Sequence, residues 1–279
     1  MSGGPVVLLH GTNDTSATLR PLGEALVAAG RSVVYLDYGR HIGSIRGRFV
    51  GGGGLAPLAA STQEVVAALD ELAREGAGAL DLVGHSQGGL HALAAARLRP
   101  GLVDHVVTLS APLWGARPLG RWSAALHTPG IRHALDAVLG PSARTMVPGR
   151  ESAAVRELPG GAEAPGAEAP DEVASSGVGE PTVASESKAA EGAAAEAAGG
   201  SVHSPDRPWL PQAIPGIRHL TLVSDEDPML APPPGAVHDP ALNVVRLQAL
   251  HPGHQVRHEQ LPTDPAVIEL IVKALTPAH

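Results

Sequence analysis

The chain has 279 residues, is 43% hydrophobic and carries a formal net charge of −8, but residues 160–208 hold nine acidic against two basic side chains, so the rest is nearly neutral. A neutral body lacks the basic field that nucleic acid or an anionic membrane surface would require. The absence of cysteine excludes a disulfide framework, a thiolate zinc site and a cysteine nucleophile. In chain order, Val6 to Leu9 reads as a strand, Leu19 to Ala29 as a helix and Ser32 to Asp37 as the next strand. Ser61 or Thr62 is placed to cap a helix running to about Arg74, with Val65, Val66, Leu69 and Leu72 at near-helical spacing. Residues 79–83 read as a buried strand, 89–98 as an alanine-rich helix, and Val103 to Leu109 as another strand. This alternation predicts the α/β class, with a mostly parallel sheet covered by helices on both faces.

From Pro112 the pattern changes to Trp, Gly, Pro and short amphipathic pieces, with Ile131, Leu135, Val138 and Leu139 on one stripe. The expectation over 112–158 is a small helical cap following the fifth-strand region. Residues 160–208 are low-complexity, and Gly161 to Pro165 repeats as Gly166 to Pro170. Such a stretch cannot bury enough apolar surface to offset its ordering entropy, so a disordered insertion is expected there. Beyond it, Arg218 to Ser224 and Asn243 to Leu250 read as strands. Asp264 as N-cap and Pro265 at the first helical position then open a terminal helix, with Val267, Ile268, Ile271, Val272 and Leu275 as its buried stripe. Residues 1–279 are thus expected to form a single domain. No apolar run reaches the roughly 18 residues of a membrane span, and Pro5 to Leu9 has no basic stretch before it. The expectation is a cytoplasmic protein without an integral membrane segment.

The chemistry centres on Gly84-His85-Ser86-Gln87-Gly88, set between the strand at 79–83 and the helix at 89–98. A sharp strand-to-helix turn crowds both flanks of the serine, which favours glycine two residues before and two after it and holds the hydroxyl out at the sheet edge. A serine hydroxyl is a poor nucleophile near neutral pH, so it needs a base within hydrogen-bond reach and an acid that orients the base. Asp225 and Asp227 both qualify as the acid, because they follow the strand ending near Ser224. Of the later histidines 238, 251, 254, 258 and 279, the interval between the last strand and the last helix holds His251, His254 and His258. His258, six residues before the Asp264 cap, is the preferred base. Two converging N–H groups are expected to form an oxyanion hole: that of Gln87, directly after the serine, and that of Thr12 in His10-Gly11-Thr12 after the first strand. His10 is expected to shape that loop through its ring. The fourteen histidines show no metal spacing, and Gly51 to Gly54 lacks the Lys-Ser/Thr of a phosphate cradle, so neither metal nor cofactor is expected.

These residues together resemble the α/β hydrolases, and within them the bacterial triacylglycerol lipase/esterase family common in actinobacteria. The resemblance runs through His10-Gly11-Thr12, Leu36-Asp37-Tyr38-Gly39, Asp81 to Gly89, Pro148-Gly149-Arg150-Glu151 and Asp264-Pro265-Ala266-Val267, and it covers nearly everything outside 160–208. In that family the catalytic aspartate precedes a proline by five residues, as Asp227 precedes Pro232, and the histidine lies six residues before an Asp-Pro pair, as His258 does. The resemblance therefore selects Asp227 over Asp225. It implies an α/β-hydrolase fold, a small-molecule or lipid ester as substrate, Ser86, His258 and Asp227 as the catalytic set, and Thr12 and Gln87 as the oxyanion donors. The chain departs from the family in having His251-Pro252 where relatives place Cys-Pro, and Asp225-Glu226 where they place Arg-Tyr. An acyltransferase or thioesterase using the same three side chains, or a catalytically silent binding protein of the same fold, are the alternative readings.

Overall fold

Strands that are apolar on both sides must be covered on both sides, and that requirement sets the layering of this molecule. The computed structural model describes residues 3–49, 51–114, 212–230, 232 and 239–276. Their six strands are β1 (Val6–Leu9), β2 (Val33–Leu36), β3 (Leu80–His85), β4 (Val103–Leu109), β5 (Arg218–Val223) and β6 (Val244–Arg246). They form one sheet in the order β2-β1-β3-β4-β5-β6, parallel throughout. Every residue of β1 and β3 is buried.

Side chains alternate across the pleat, so neighbouring residues of one strand enter different cores. Val7, Leu9 and Leu82 pack with Val65 and Leu69 of α3 (Leu58–Arg74) and Leu90 of α4 (Gln87–Leu98). Val6, Leu8, Val83 and Val107 pack instead with Leu22 and Leu26 of α1 (Arg20–Ala28) and with the terminal helix. Burial of a Val or Leu side chain stabilises by about 1.5–3 kcal/mol, so each face holds its helices through several such contacts.

Two further helices are short, α2 (Ile45–Phe49) and α5 (Leu247–Leu250), and the terminal helix is α6 (Pro265–Leu275). It starts as its sequence requires. Asp264 Oδ1 accepts from the N–H groups of Ala266 and Val267 at 3.0 and 3.1 Å, and Val267, Ile271 and Leu275 are buried while Ile268 and Val272 pack at the margin of the same core.

Several boundaries differ from the sequence expectation. Helix α3 begins at Leu58 after Pro57, not at Ser61 or Thr62, because buried Leu58 extends the apolar stripe one turn upstream. Thr62 lies inside the helix and its Oγ1 is 2.8 Å from His91 Nδ1. The expected strand over 243–250 divides into a three-residue strand and a helical turn. β6 is an edge strand paired only with β5, and Leu247-Gln248-Ala249-Leu250 favours helix where neighbours do not impose a strand. The third strand runs on to His85, and α4 begins at Gln87. Neither α2 nor the 3-10 helix His258–Thr263 was expected.

The contacts divide the chain into a unit of Met1–Ala162 with Trp209–His279 and a second unit, Glu163–Pro208. The second lies outside the described residues, as do the expected insertion over 160–208 and, apart from Pro112 to Trp114, the expected cap over 112–158. No helix among the described residues is long and apolar enough to cross a membrane.

At the edge of the sheet where β3 begins, Arg31 bonds Asp81 Oδ2 and the Gly4 carbonyl, each at 2.6 Å, and also the carbonyl of Leu275. His105 Nδ1 bonds the other carboxylate oxygen at 2.7 Å. The Arg31 and Asp81 side chains are only 4% and 5% exposed, so this pair ties the start of the chain and the end of α6 to the sheet out of contact with water. Removing one partner of a buried pair strands the other charge. Arg31→Ala is therefore expected to lose about 3–5 kcal/mol of stability, read as a fall in the guanidinium unfolding midpoint.

His91, fully buried in α4, is held neutral: burial, with His10 adding to it, lowers its pKa from 6.5 to about 3. The unfolded chain then binds a proton that the folded chain refuses, so stability falls as pH drops from about 6.5 towards 3. Unfolding titrations at pH 6, 5 and 4 are expected to show a slope shallower by about 1.4 kcal/mol per pH unit in His91→Gln than in the parent chain.

Candidate active site

A single residue, Ser86, joins the end of β3 to the start of α4, and it does so at φ 54° and ψ −124°. A non-glycine residue with such a φ is strained by about 1–3 kcal/mol, which the surrounding structure must hold in place. The glycines show how. A Cβ on Gly84 would overlap the Gly88 carbonyl and the Gly89 nitrogen, and one on Gly88 would overlap the carbonyl oxygen of Leu9. Strand end, helix start and the exit of β1 therefore meet at backbone distance. The Ser86 N–H donates to the Leu109 carbonyl at 2.9 Å, which fixes the elbow against β4.

The loop His10-Gly11-Thr12 lies beside this elbow: a Cβ on Gly11 would stand 3.2 Å from the Ser86 Cβ. Among the described residues, neither the Thr12 nor the Gln87 N–H donates to a backbone carbonyl. His10 is buried, and burial lowers its pKa against the opposing pull of the Gly11 carbonyl, Asp14 and Asp37. It is a neutral ring built into the loop, as its position suggested.

The loops that carry Asp227 and His258 leave the same edge of the sheet. Past β5, Ser224 Oγ donates to the Val256 carbonyl at 2.7 Å and ties the turn that carries Asp227 to the segment that leads into His258. Asp227 is fully buried, and its Oδ2 accepts from His258 Nδ1 at 2.8 Å. Its Oδ1 accepts from the N–H groups of Met229 and Leu230, both at 2.9 Å. Burial pushes the carboxyl pKa up, but the His258 hydrogen bond and charge and the two backbone donors outweigh it, leaving Asp227 below the ordinary carboxylate range. Asp225 is exposed and paired with Arg246, so the structure brings Asp227 and not Asp225 to the histidine. His254 bonds Asp264 at 2.9 Å and His251 is exposed. His238 and His279 lie outside the described residues.

The sequence reading missed one member of this cluster, His85. Its Nε2 donates to the carbonyl of His258 at 2.9 Å, the two rings are 4.8 Å apart, and a Cβ on Gly11 would be 3.4 Å from its Nδ1. His85 thus lies against the segment that carries His258 and against the His10-Gly11-Thr12 loop while adjoining Ser86 in the chain. Burial, with the charge of His258 adding to it, lowers its pKa to about 3, so the ring is a neutral donor. The Gly-x-Ser-x-Gly spacing leaves that position free. Its place beside Ser86 is visible in the sequence, but the His258 carbonyl that it bonds is not. Among the described residues, no group of three or more histidines and acids is arranged to hold a metal ion.

Residues 2–156 match the family described as serine aminopeptidase, S33. Among solved structures, the chain is similar to one from work on LipS and LipT, two metagenome-derived lipolytic enzymes. It is 14% identical with a TM-score of 0.55, covering 98% of this chain and 95% of that one. It is also similar to lipase B of Aspergillus fumigatus, 16% identical with a TM-score of 0.53, covering 99% of this chain; it spans 53% of that lipase's length. At such identities the likeness shows the fold, and that fold is the α/β-hydrolase fold. No curated protein matches the chain. With more than half of its residues matched by the family and the sheet order and strand-to-helix serine turn in place, the chain belongs to the serine aminopeptidase S33 family of α/β hydrolases.

Proposed function

We propose that the chain is a carboxylic ester hydrolase of the esterase/lipase kind, with Ser86 as nucleophile, His258 as general base and acid, and Asp227 as the group that orients the base. Ser86 Oγ attacks the acyl carbon while His258 Nε2 takes its proton, and the tetrahedral oxyanion lies against the N–H groups of Thr12 and Gln87. His258 returns the proton to the departing alcohol, leaving an acyl-serine. Water, deprotonated by the same nitrogen, then releases the acid. Asp227 keeps Nδ1 protonated, so that Nε2 presents its lone pair.

The observation that carries this reading is the buried 2.8 Å Asp227–His258 bond, whose histidine is held through its main chain by the residue next to Ser86. A lipid ester as substrate draws support from the lipase-like motifs around Gly11, Ser86 and Asp264. Peptide hydrolysis from a free N-terminus needs a carboxylate to receive the substrate's ammonium. Of the acids near Thr12 and Gly39, Asp14 and Asp37 on loops accept from the N–H groups of Thr15 and Ser16, and Glu64 on α3 accepts from that of Gly39. Accepting an N–H leaves a carboxylate its charge, so the substrate class is decided by turnover.

The test uses p-nitrophenyl esters from butyrate to palmitate alongside leucine p-nitroanilide. The expected result is ester cleavage with the anilide left intact. Cleavage of the anilide alone would overturn the substrate class. Ser86→Ala is expected to lower kcat by about 10³-fold or more, and Asp227→Asn by about 10³–10⁴-fold, with each variant folded by circular dichroism. Ester turnover that persists in Ser86→Ala would overturn the mechanism.

A further inference from the structure

The proposed oxyanion donor Thr12 follows Gly11, whose backbone has no side chain of its own to restrain it. In a trans peptide the C=O and the following N–H point in opposite directions, so whatever holds the Gly11 carbonyl also aims the Thr12 N–H. The holder is His10: its Nδ1 lies 2.8 Å from the Gly11 carbonyl oxygen, and a carbonyl can only accept. The direction of the Thr12 N–H therefore depends on where the His10 ring sits.

That ring is held by one residue beyond β2. The Tyr38 ring lies flat on the His10 imidazole, with centroids 4.5 Å apart and planes 8° from parallel. The Tyr38 hydroxyl donates to the His10 carbonyl at 2.5 Å, pinning the peptide plane just before Gly11. The Tyr38 N–H faces His10 Nε2 at 3.4 Å, a long contact that suits an acceptor at Nε2 when Nδ1 carries the proton. The Tyr38 carbonyl accepts from the Gly54 N–H at 2.8 Å, and Gly54 is seated so tightly that a Cβ there would stand 2.9 Å from the Gly11 oxygen and 3.1 Å from Thr12 Cα. Behind the phenol, the edge of His91 meets the ring at 4.8 Å. Tyr38 is only 3% exposed, and these contacts leave it one position.

We propose that Tyr38 is a positioning residue for the oxyanion hole, which sets the direction of the Thr12 N–H through His10 on one side and Gly54 on the other without touching the substrate. This rests on the ester-hydrolase reading of Ser86. It also gives the glycine-rich run Gly51 to Gly54 a use: Gly54 is the backing of the loop.

Tyr38→Phe keeps the ring and removes only the hydroxyl donor. Active sites are counted by fluorophosphonate labelling, so that any misfolded fraction drops out. Per titrated site, kcat on p-nitrophenyl butyrate is expected to fall about ten-fold with KM within about two-fold of the parent. The affinity for phenylboronic acid, which forms a tetrahedral adduct on the serine, is expected to fall by the same factor. Tyr38→Leu, which also loses the stack, is expected to fall further, about 100-fold. A residue with only a structural role would lower the titrated fraction and leave kcat per site and boronate affinity unchanged. That result in Tyr38→Phe overturns the proposal. If Ser86→Ala abolishes turnover while Tyr38→Phe is fully active, the role of Tyr38 alone is lost. If Ser86→Ala keeps its turnover, the ester-hydrolase reading fails and this inference with it.

Discussion

The φ of 54° at Ser86 is possible only because three backbone segments approach one another without side chains between them. Gly84 lies against Gly88, and Gly88 against the carbonyls of Leu9 and His10, so the end of β3, the first turn of α4 and the exit from β1 share one contact. A displacement of any one of them moves the other two. In a parallel sheet all strands point the same way, so the loops after β1, β3 and β5 leave from a common edge. The crevice between strands whose crossovers run in opposite directions, here β1 and β3, is where such sheets bind ligands. Thr12, Ser86 and Asp227 stand on those three loops.

Electrostatics around that edge follows from burial more than from formal charge. His10, His85 and His91 are all driven toward the neutral form by desolvation, and each serves as a flat hydrogen-bonding plate: to the Gly11 carbonyl, to the His258 carbonyl and to Thr62. Among these buried rings His258 is distinguished by a hydrogen bond to a carboxylate, at 2.8 Å, where His10 lies 3.7 Å from Asp37. Asp227 holds its charge at 0% exposure because its two oxygens receive three donors, two of them main-chain N–H groups supplied by the turn it sits in. A carboxylate so held is stabilised by fixed dipoles that need no reorganisation when a positive charge develops on the imidazole. The proposed division of labour therefore has buried rings fixing geometry and one carboxylate–histidine pair facing the reaction.

Elements whose signals are local were legible in the sequence. The Asp264-Pro265 start of α6 is a capping event within three residues, and the strand at Val103–Leu109 is rich in β-branched residues, so both lie where the sequence put them. Ser61 and Thr62 misled because a hydroxyl residue caps a helix only if the preceding turn is not itself helical. Leu58 makes it helical by burying its side chain, which is a tertiary effect. The strand expected over 243–250 ended early for a related reason: β6 has one neighbour, and a strand with one neighbour cannot override the helical preference of Leu247 to Leu250. Of the site, the glycine spacing around Ser86 could be read because it records backbone contacts. His85 and Tyr38 could not, since each acts through a main-chain carbonyl 173 and 28 residues away, and a carbonyl leaves no mark on residue identity.

The placement of strain shows what the opposite edge of the sheet is for. Of the positive-φ residues other than glycine among the described residues, Asn13, Ser86 and Ser110 each lie past the end of a strand on the edge that carries the proposed site, while Asn243 alone lies at the other edge, just before β6. Conformations of this kind cost of order 1–3 kcal/mol apiece and persist only where the surroundings over-determine them. The over-determination has two sources. Fully buried β1 and β3 fix where the strained turns begin, and at the far edge Arg31 binds Asp81, Gly4 and the end of α6 at once, so the sheet cannot relax by letting its first strand or last helix drift. A buried ion pair is weak evidence of net stabilisation over an apolar replacement, but breaking one is costly, which makes it a good lock. Placed at the edge away from Ser86, the lock holds the scaffold rigid without adding charge to a site whose geometry depends on neutral rings and a single carboxylate.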